Sequence, residues 1–207
     1  MPTDDETWTY RPRSAVPITI GGWLVVAGFT AAQAYGGGVA ALGRALPLAL
    51  AACLTLWLVF YRPTVALDEA GVHVVNPFTT SDIPWAALVE IRTRYACTFV
   101  TPHRVVEAFA APGPGRHVAG RASVVDLRAV RDSAFDGMRS VSIGEIGSSS
   151  SAIVATETRR RWEHLVESGE LELGVADEMP VAHGLELAAI AAVVALGSLG
   201  IVLLLLT

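Results

Sequence analysis

The side chains that could do chemistry in this chain are few and scattered. His73, His103, His117, His164 and His183 have no metal-ligand spacing and no acid pair beside them. Cys53 falls in an apolar run. Cys97 sits among Tyr95, Ala96, Thr98 and Phe99, the setting of a buried thiol rather than a nucleophile. No phosphate loop, nucleophile elbow or metal motif is present, so the expectation is a protein with no catalytic residues, no metal and no cofactor. What remains is arginine, whose planar fork binds phosphate or carboxylate through paired hydrogen bonds. Arg62, Arg92 and Arg94 are the candidates for contact with anionic lipid headgroups, although Arg92 and Arg94 read more simply as the solvated face of a strand. Arg159, Arg160 and Arg161 do not converge, because successive helix positions point about 100° apart. They read as a solvated helix face, with Glu157 and Arg161 an i,i+4 pair.

The elements that must position these groups are dominated by hydrocarbon. Of 207 residues, 52% are hydrophobic and 17% charged, against about 25% charged in an ordinary soluble domain. All fifteen basic residues are arginine, and the net charge is −5. That balance excludes the global basic character of a nucleic-acid binder. Residues 184–207 carry no charge after Glu186 and no polar face. At about 1.5 Å per residue such a helix spans a bilayer core of about 30 Å. Residues 18–35 and 45–61 are two further apolar runs, separated by Gly36-Gly37-Gly38 and Arg44. They predict a tight helical hairpin.

Arginine placement orients these spans. Arg11 and Arg13 precede the first, Arg62 follows the second, and the turn between them holds only Arg44. The expectation is a multi-pass protein of the cell membrane with its N-terminus inside, residues 62–183 cytoplasmic and the C-terminus outside. Trp57, Phe60 and Tyr61 then mark the inner interface. Ala32-Gln33-Ala34 matches a signal-peptide cleavage pattern, but the acidic leader Asp4-Asp5-Glu6 argues against cleavage. A C-terminal lipid-anchor signal is a lesser rival, since Glu178-Met179-Pro180 leads into the last run rather than small residues.

Residues 62–170 read as short strands, a long loop and a helix. Thr64 to Leu67 and Val72 to Asn76 form a hairpin about the Asp68-Glu69-Ala70-Gly71 turn. The Thr79-Thr80-Ser81-Asp82 cluster closes that strand, and Ile83-Pro84-Trp85 opens another that runs on to Tyr95. Val89, Ile91 and Thr93 face one way on it, and Glu90, Arg92 and Arg94 the other. Cys97 to Thr101 and Val105 to Phe109 make a further pair. Val124 to Val130 reads as a short helix before the Gly/Ser loop of residues 144–151. Ser151 then caps a helix to about Ser168, ended by Gly169, with Val154, Thr158, Trp162, Leu165 and Val166 on one face. Trp85 and Trp162 are core anchors.

The run Arg62-Pro63-Thr64-Val65, Asp68-x-x-Gly71-Val72-x-Val74-x-Asn76-Pro77 and Ile83-Pro84-Trp85, with Arg159-Arg160-Arg161-Trp162-Glu163 later, resembles bacterial pleckstrin-homology (PH) domains. It is most similar to the actinobacterial group related to the low-molecular-weight protein antigen family. The resemblance implies an α+β fold, a PH-like bent antiparallel β-sheet closed by a C-terminal helix, and no catalytic residues. Joined to three transmembrane helices, it gives a tail at 1–17, a helical hairpin at 18–61, a PH-like domain at 62–170, a linker at 171–183 and a last span at 184–207. Lipid-binding PH domains carry cations around the first hairpin, whereas here it holds Asp68 and Glu69 and no arginine. Residues 62–183 hold 12 arginines against 16 carboxylates, a net of −4, which disfavours an anionic surface. The expected partners are the lipid bilayer and another envelope protein. The expected role is a non-catalytic scaffold or accessory subunit, with lipid headgroup sensing as the alternative.

Overall fold

The computed structural model describes residues 7–113, 149–172 and 174–206. The short helix expected at 124–130 and most of the Gly/Ser loop lie outside them. The chain divides into two compact units: described residues of 1–12, 64–75 and 80–183 form one, and those of 13–63, 76–79 and 184–207 the other.

In the second unit, α1 (Ala15–Leu56) continues into a π-helical turn, Trp57–Tyr61. It is two arms rather than one rod. Gly38 leaves the helical region (φ +66°, ψ −163°), a conformation glycine adopts without a Cβ penalty. The indole N–H of Trp23 donates to the Cys53 carbonyl at 3.0 Å, where thirty residues of straight helix would separate them by about 45 Å. The expected hairpin is thus present, its reversal at the last of the three glycines. The last helix, α3 (Leu187–Leu205), packs on the second arm. A Cβ on Gly200 would lie 2.5 Å from Leu48 Cγ, so the bare glycine permits the approach. Two helices, Ala15–Tyr61 and Leu187–Leu205, are long and apolar enough to cross a membrane by length and composition.

The first unit is α+β. A five-stranded antiparallel sheet has the order β1 (Trp8–Tyr10), β2 (Thr64–Leu67), β3 (Gly71–Val75), β4 (Thr79–Pro84), β8 (Ala182–Leu185). A three-stranded one has the order β5 (Glu90–Arg92), β6 (Ala96–Val100), β7 (Val105–Pro112). The β2–β3 hairpin pairs Val65 with Val74 and Leu67 with Val72, as the alternation predicts. The segment expected as a tail supplies β1, and the expected linker ends in β8. Their edge positions were invisible to a reading of local patterns. Nor does one strand run from Ile83 to Tyr95. The Thr79-to-Asp82 cluster lies inside β4, and a 3-10 turn at Trp85–Ala87 passes the chain to the other sheet. Threonine and serine are tolerated there because Ser81 is buried and bonded to His183 Nδ1 at 2.8 Å.

Phe99, Leu67, Ile83, Val65, Val72, Val74 and Val154 are fully buried in the core, with Trp85 and Cys97. Full burial of each large apolar side chain contributes about 1.5–3 kcal/mol. The helix that precedes β8, α2, is Ser150–Glu167; its inward face carries Val154 and Thr158, with Trp162 and Leu165 partly buried. The cap is Ser149, not Ser151: its hydroxyl accepts from Ala152 N–H at 3.1 Å. At the other end Gly169 (φ +75°) permits the paired bonds from Gly169 N–H to Val166 O and from Glu170 N–H to Leu165 O.

Candidate functional site

The three arginines predicted as lipid contacts have different surroundings. Arg62 follows the second helical arm and is largely covered. Its guanidinium pairs with the Glu186 carboxylate and donates to the carbonyls of Asn76 and Pro77. Arg92, on β5, donates to Glu90 at 2.6 Å. That carboxylate is held below its ordinary range by the Arg92 hydrogen bond. Arg94 lies over the Tyr95 ring, 5.1 Å from its centroid, and both are exposed.

The Arg159-to-Arg161 run is not simply a solvated face. Arg159 donates to Ile91 O at 3.2 Å and Arg161 to Leu67 O at 3.3 Å. The helix is thereby fastened to both sheets, at β5 and at β2. Glu157 receives Arg160 at 2.8 Å and Arg161 at 3.1 Å. Burial opposes charge on Glu157, but the two arginines outweigh it and keep its pKa below the ordinary value.

The β2–β3 turn carries a cluster that the sequence reading missed. His73 Nδ1 lies 2.7 Å from Asp82 Oδ1. Its Nε2 lies 2.8 Å from Asp68 Oδ2. Burial disfavours the charged imidazole, but the two carboxylates hold its pKa above the ordinary value. Asp68 also accepts the N–H groups of Ala70 and Gly71 at 2.9 and 3.1 Å. Burial opposes its ionisation, yet His73 and these N–H groups keep its pKa low. The signal was the register: His73 stands opposite Asp82 in the β3–β4 pairing. Asp68 is near in sequence, across the turn, but Asp82 is brought beside His73 only by the strand pairing. The turn is therefore a closed, charge-satisfied structure with acidic groups outward, and Trp85 Nε1–H ties it down by donating to Asp68 O at 2.9 Å.

The outward face of the three-stranded sheet has a different character. The register places Glu90, Val100 and Val105 in one row and Arg92, Thr98 and Glu107 in the next. Val105 and Phe109 are exposed on β7, and Tyr95 stands 75% exposed just before β6. The opposite face buries Cys97, Phe99, Val106 and Ala108. Burial pushes the Cys97 thiol up to about 12, against a smaller opposing effect of Arg159, so it does not supply a thiolate at neutral pH. Among the described residues no group of His, Cys, Asp and Glu is arranged to hold a metal ion.

The first unit is thus an α+β arrangement of a five-stranded and a three-stranded sheet with one helix packed on them. In keeping with that, residues 62–139 match the family model described as the bacterial PH domain. No match was found among curated proteins or among solved structures.

Proposed function

We propose that this chain is a non-catalytic integral membrane protein in which three helical arms tether a cytoplasmic PH-like domain that binds another envelope protein. The reversal at Gly38 supports three spans rather than two, and the arginine distribution supports a cytoplasmic domain. The finer resemblance, to the actinobacterial low-molecular-weight protein antigen group, belongs to this reading and rests on the Asp68-x-x-Gly71 and Ile83-Pro84-Trp85 runs.

The observation that carries the protein-binding role is the outward face of β5–β7. Exposed Val105, Phe109 and Tyr95 stand beside a matched Glu90–Arg92 pair, the mixture of aromatic and locally neutralised charge that protein interfaces use. Headgroup sensing through Arg62, Arg92 and Arg94 is the alternative. It is less well supported because Arg62 and Arg92 already hold carboxylates and the first hairpin presents Asp68 and Glu69. Photo-crosslinkers at Phe109 and at Glu69 in the full chain, irradiated in native membranes, test the choice. A discrete protein adduct from Phe109, absent from Glu69, is expected. Lipid adducts alone from Phe109 would favour the alternative.

A further inference from the structure

The β3–β4 turn differs from an ordinary solvent-facing turn. Residues Asn76 to Thr79 group with the helical unit rather than with the strands they connect. None of the four is charged. Most of their backbone polar groups have partners within the chain: Asn76 N–H donates to Thr79 O at 2.8 Å, and Phe78 O accepts from Glu186 N–H at 2.9 Å. Asn76 O and Pro77 O accept from Arg62, whose charge is matched by Glu186. Pro77 has no N–H to satisfy. Solvent pairs the carbonyls of a turn in water; pairing from within matters more as water thins toward the bilayer core.

The side chains around it are apolar and outward. Phe78 is 42% exposed. Its carbonyl bond to Glu186 sets it beside the stretch holding Leu185 and Leu187, both exposed. Phe60, also exposed, precedes Arg62 by two residues, in the turn where Trp57 and Tyr61 stack at 6.5 Å. Arg62 and Glu186 thus join the turn to the ends of two arms, where aromatic side chains favour the membrane–water interface.

We infer that the β3–β4 turn is a lipid-contact element: Phe78, beside Leu185 and Leu187, inserts into the interfacial layer of the bilayer, and the Arg62–Glu186 clasp closes the polar groups that would otherwise oppose insertion. This rests on the proposal that the helical arms span the membrane. It adds a fourth, non-helical contact, and it gives the clasp a role other than headgroup recognition.

The test uses the full chain with Cys53→Ala, reconstituted in phosphatidylcholine vesicles containing phosphatidylglycerol, with a nitroxide attached at Phe78→Cys, Phe29→Cys or Glu69→Cys. Collision with oxygen, which concentrates in lipid, is compared with collision with a water-soluble nickel chelate. The inference expects oxygen to dominate at Phe29 and Phe78, and the chelate at Glu69. Chelate dominance at Phe78 with oxygen dominance at Phe29 would overturn the inserted turn and leave the spans standing. Chelate dominance at Phe29 as well would overturn both readings. Because a label can perturb the turn, Phe78→Asp provides a second measurement. It should lower the oxygen collision rate of a nitroxide at Leu187→Cys, and an unchanged rate would contradict the insertion.

Discussion

Gly71→Ala should cripple the PH-like unit through one atom. A Cβ at that position would lie 2.0 Å from Ile83 O, 2.8 Å from Ile83 C and 2.9 Å from Pro84 Cα. All three are backbone atoms of the neighbouring strand, which no rotamer change can move. Carbon and carbonyl oxygen ordinarily approach to about 3.3 Å, so β4 must retreat by more than about 1 Å. That disturbs the Val72–Ile83 and Gly71–Pro84 pairing and the adjoining Trp85 anchor. Overpacking of this kind costs about 1–3 kcal/mol, and each ladder hydrogen bond lost adds about 1 kcal/mol. A total of about 2–5 kcal/mol is a large part of the roughly 5–15 kcal/mol that holds a domain folded. At about 4–8 °C per kcal/mol for a domain near 100 residues, the melting temperature should fall by at least about 8 °C. Near-UV circular dichroism of detergent-solubilised protein reads this directly. Gly169→Ala is the comparison: φ is +75° but nothing lies within 4 Å of the new Cβ, so only backbone strain of about 1–2 kcal/mol is expected. If Gly71→Ala melted within a few degrees of wild type, the close approach of β3 to β4 would be refuted.

Three further outcomes follow from the same geometry. His73 has a raised pKa, so its contribution is complete below the ordinary imidazole value of 6.5 and is lost as pH rises through the folded value. Asp68 is lowered, so its contribution is complete above 3.8 and is lost as pH falls through the folded value. Stability should therefore be greatest in mildly acidic solution, and thermal melts of His73→Gln should lose the decline that sets in as pH rises above 6.5, a small effect because the pair is partly solvent-exposed. Cys97 should resist maleimide at pH 8 in the folded protein and react after denaturation, as mass spectrometry of the labelled peptide would show. Ser149→Ala removes the helix cap and should cost about 1 kcal/mol, measured by denaturant titration.

The hairpin of β2 and β3, the β6–β7 pair and the helix ending at Gly169 were legible because alternation, turn residues and caps are local signals. The core face of that helix was legible for the same reason, from Val154 and Thr158 to Leu165. What was hidden depends on which strand lies beside which. Trp8 to Tyr10 is too short to show a period, and it becomes a strand only by pairing with β2. Ala182 to Leu185 likewise needs β4 as its neighbour. The same limit hid the His73 cluster, since Asp82 is nine residues away in sequence and directly opposite in register. Arg159 and Arg161 looked solvated because their acceptors, Ile91 O and Leu67 O, are backbone atoms far off in the chain.

Sidedness tests the central claim most directly. In the Cys53→Ala background, which keeps the buried Cys97, a cysteine introduced at Val39 or at Glu69 would be treated with a membrane-impermeant maleimide in oriented vesicles. Val39 is exposed beside the Gly38 reversal, and Glu69 is exposed in the β2–β3 turn. A hairpin that spans the bilayer, carrying a cytoplasmic PH-like domain, predicts labelling of Val39→Cys only in right-side-out vesicles and of Glu69→Cys only in inside-out ones. Labelling of both from the same side would contradict it.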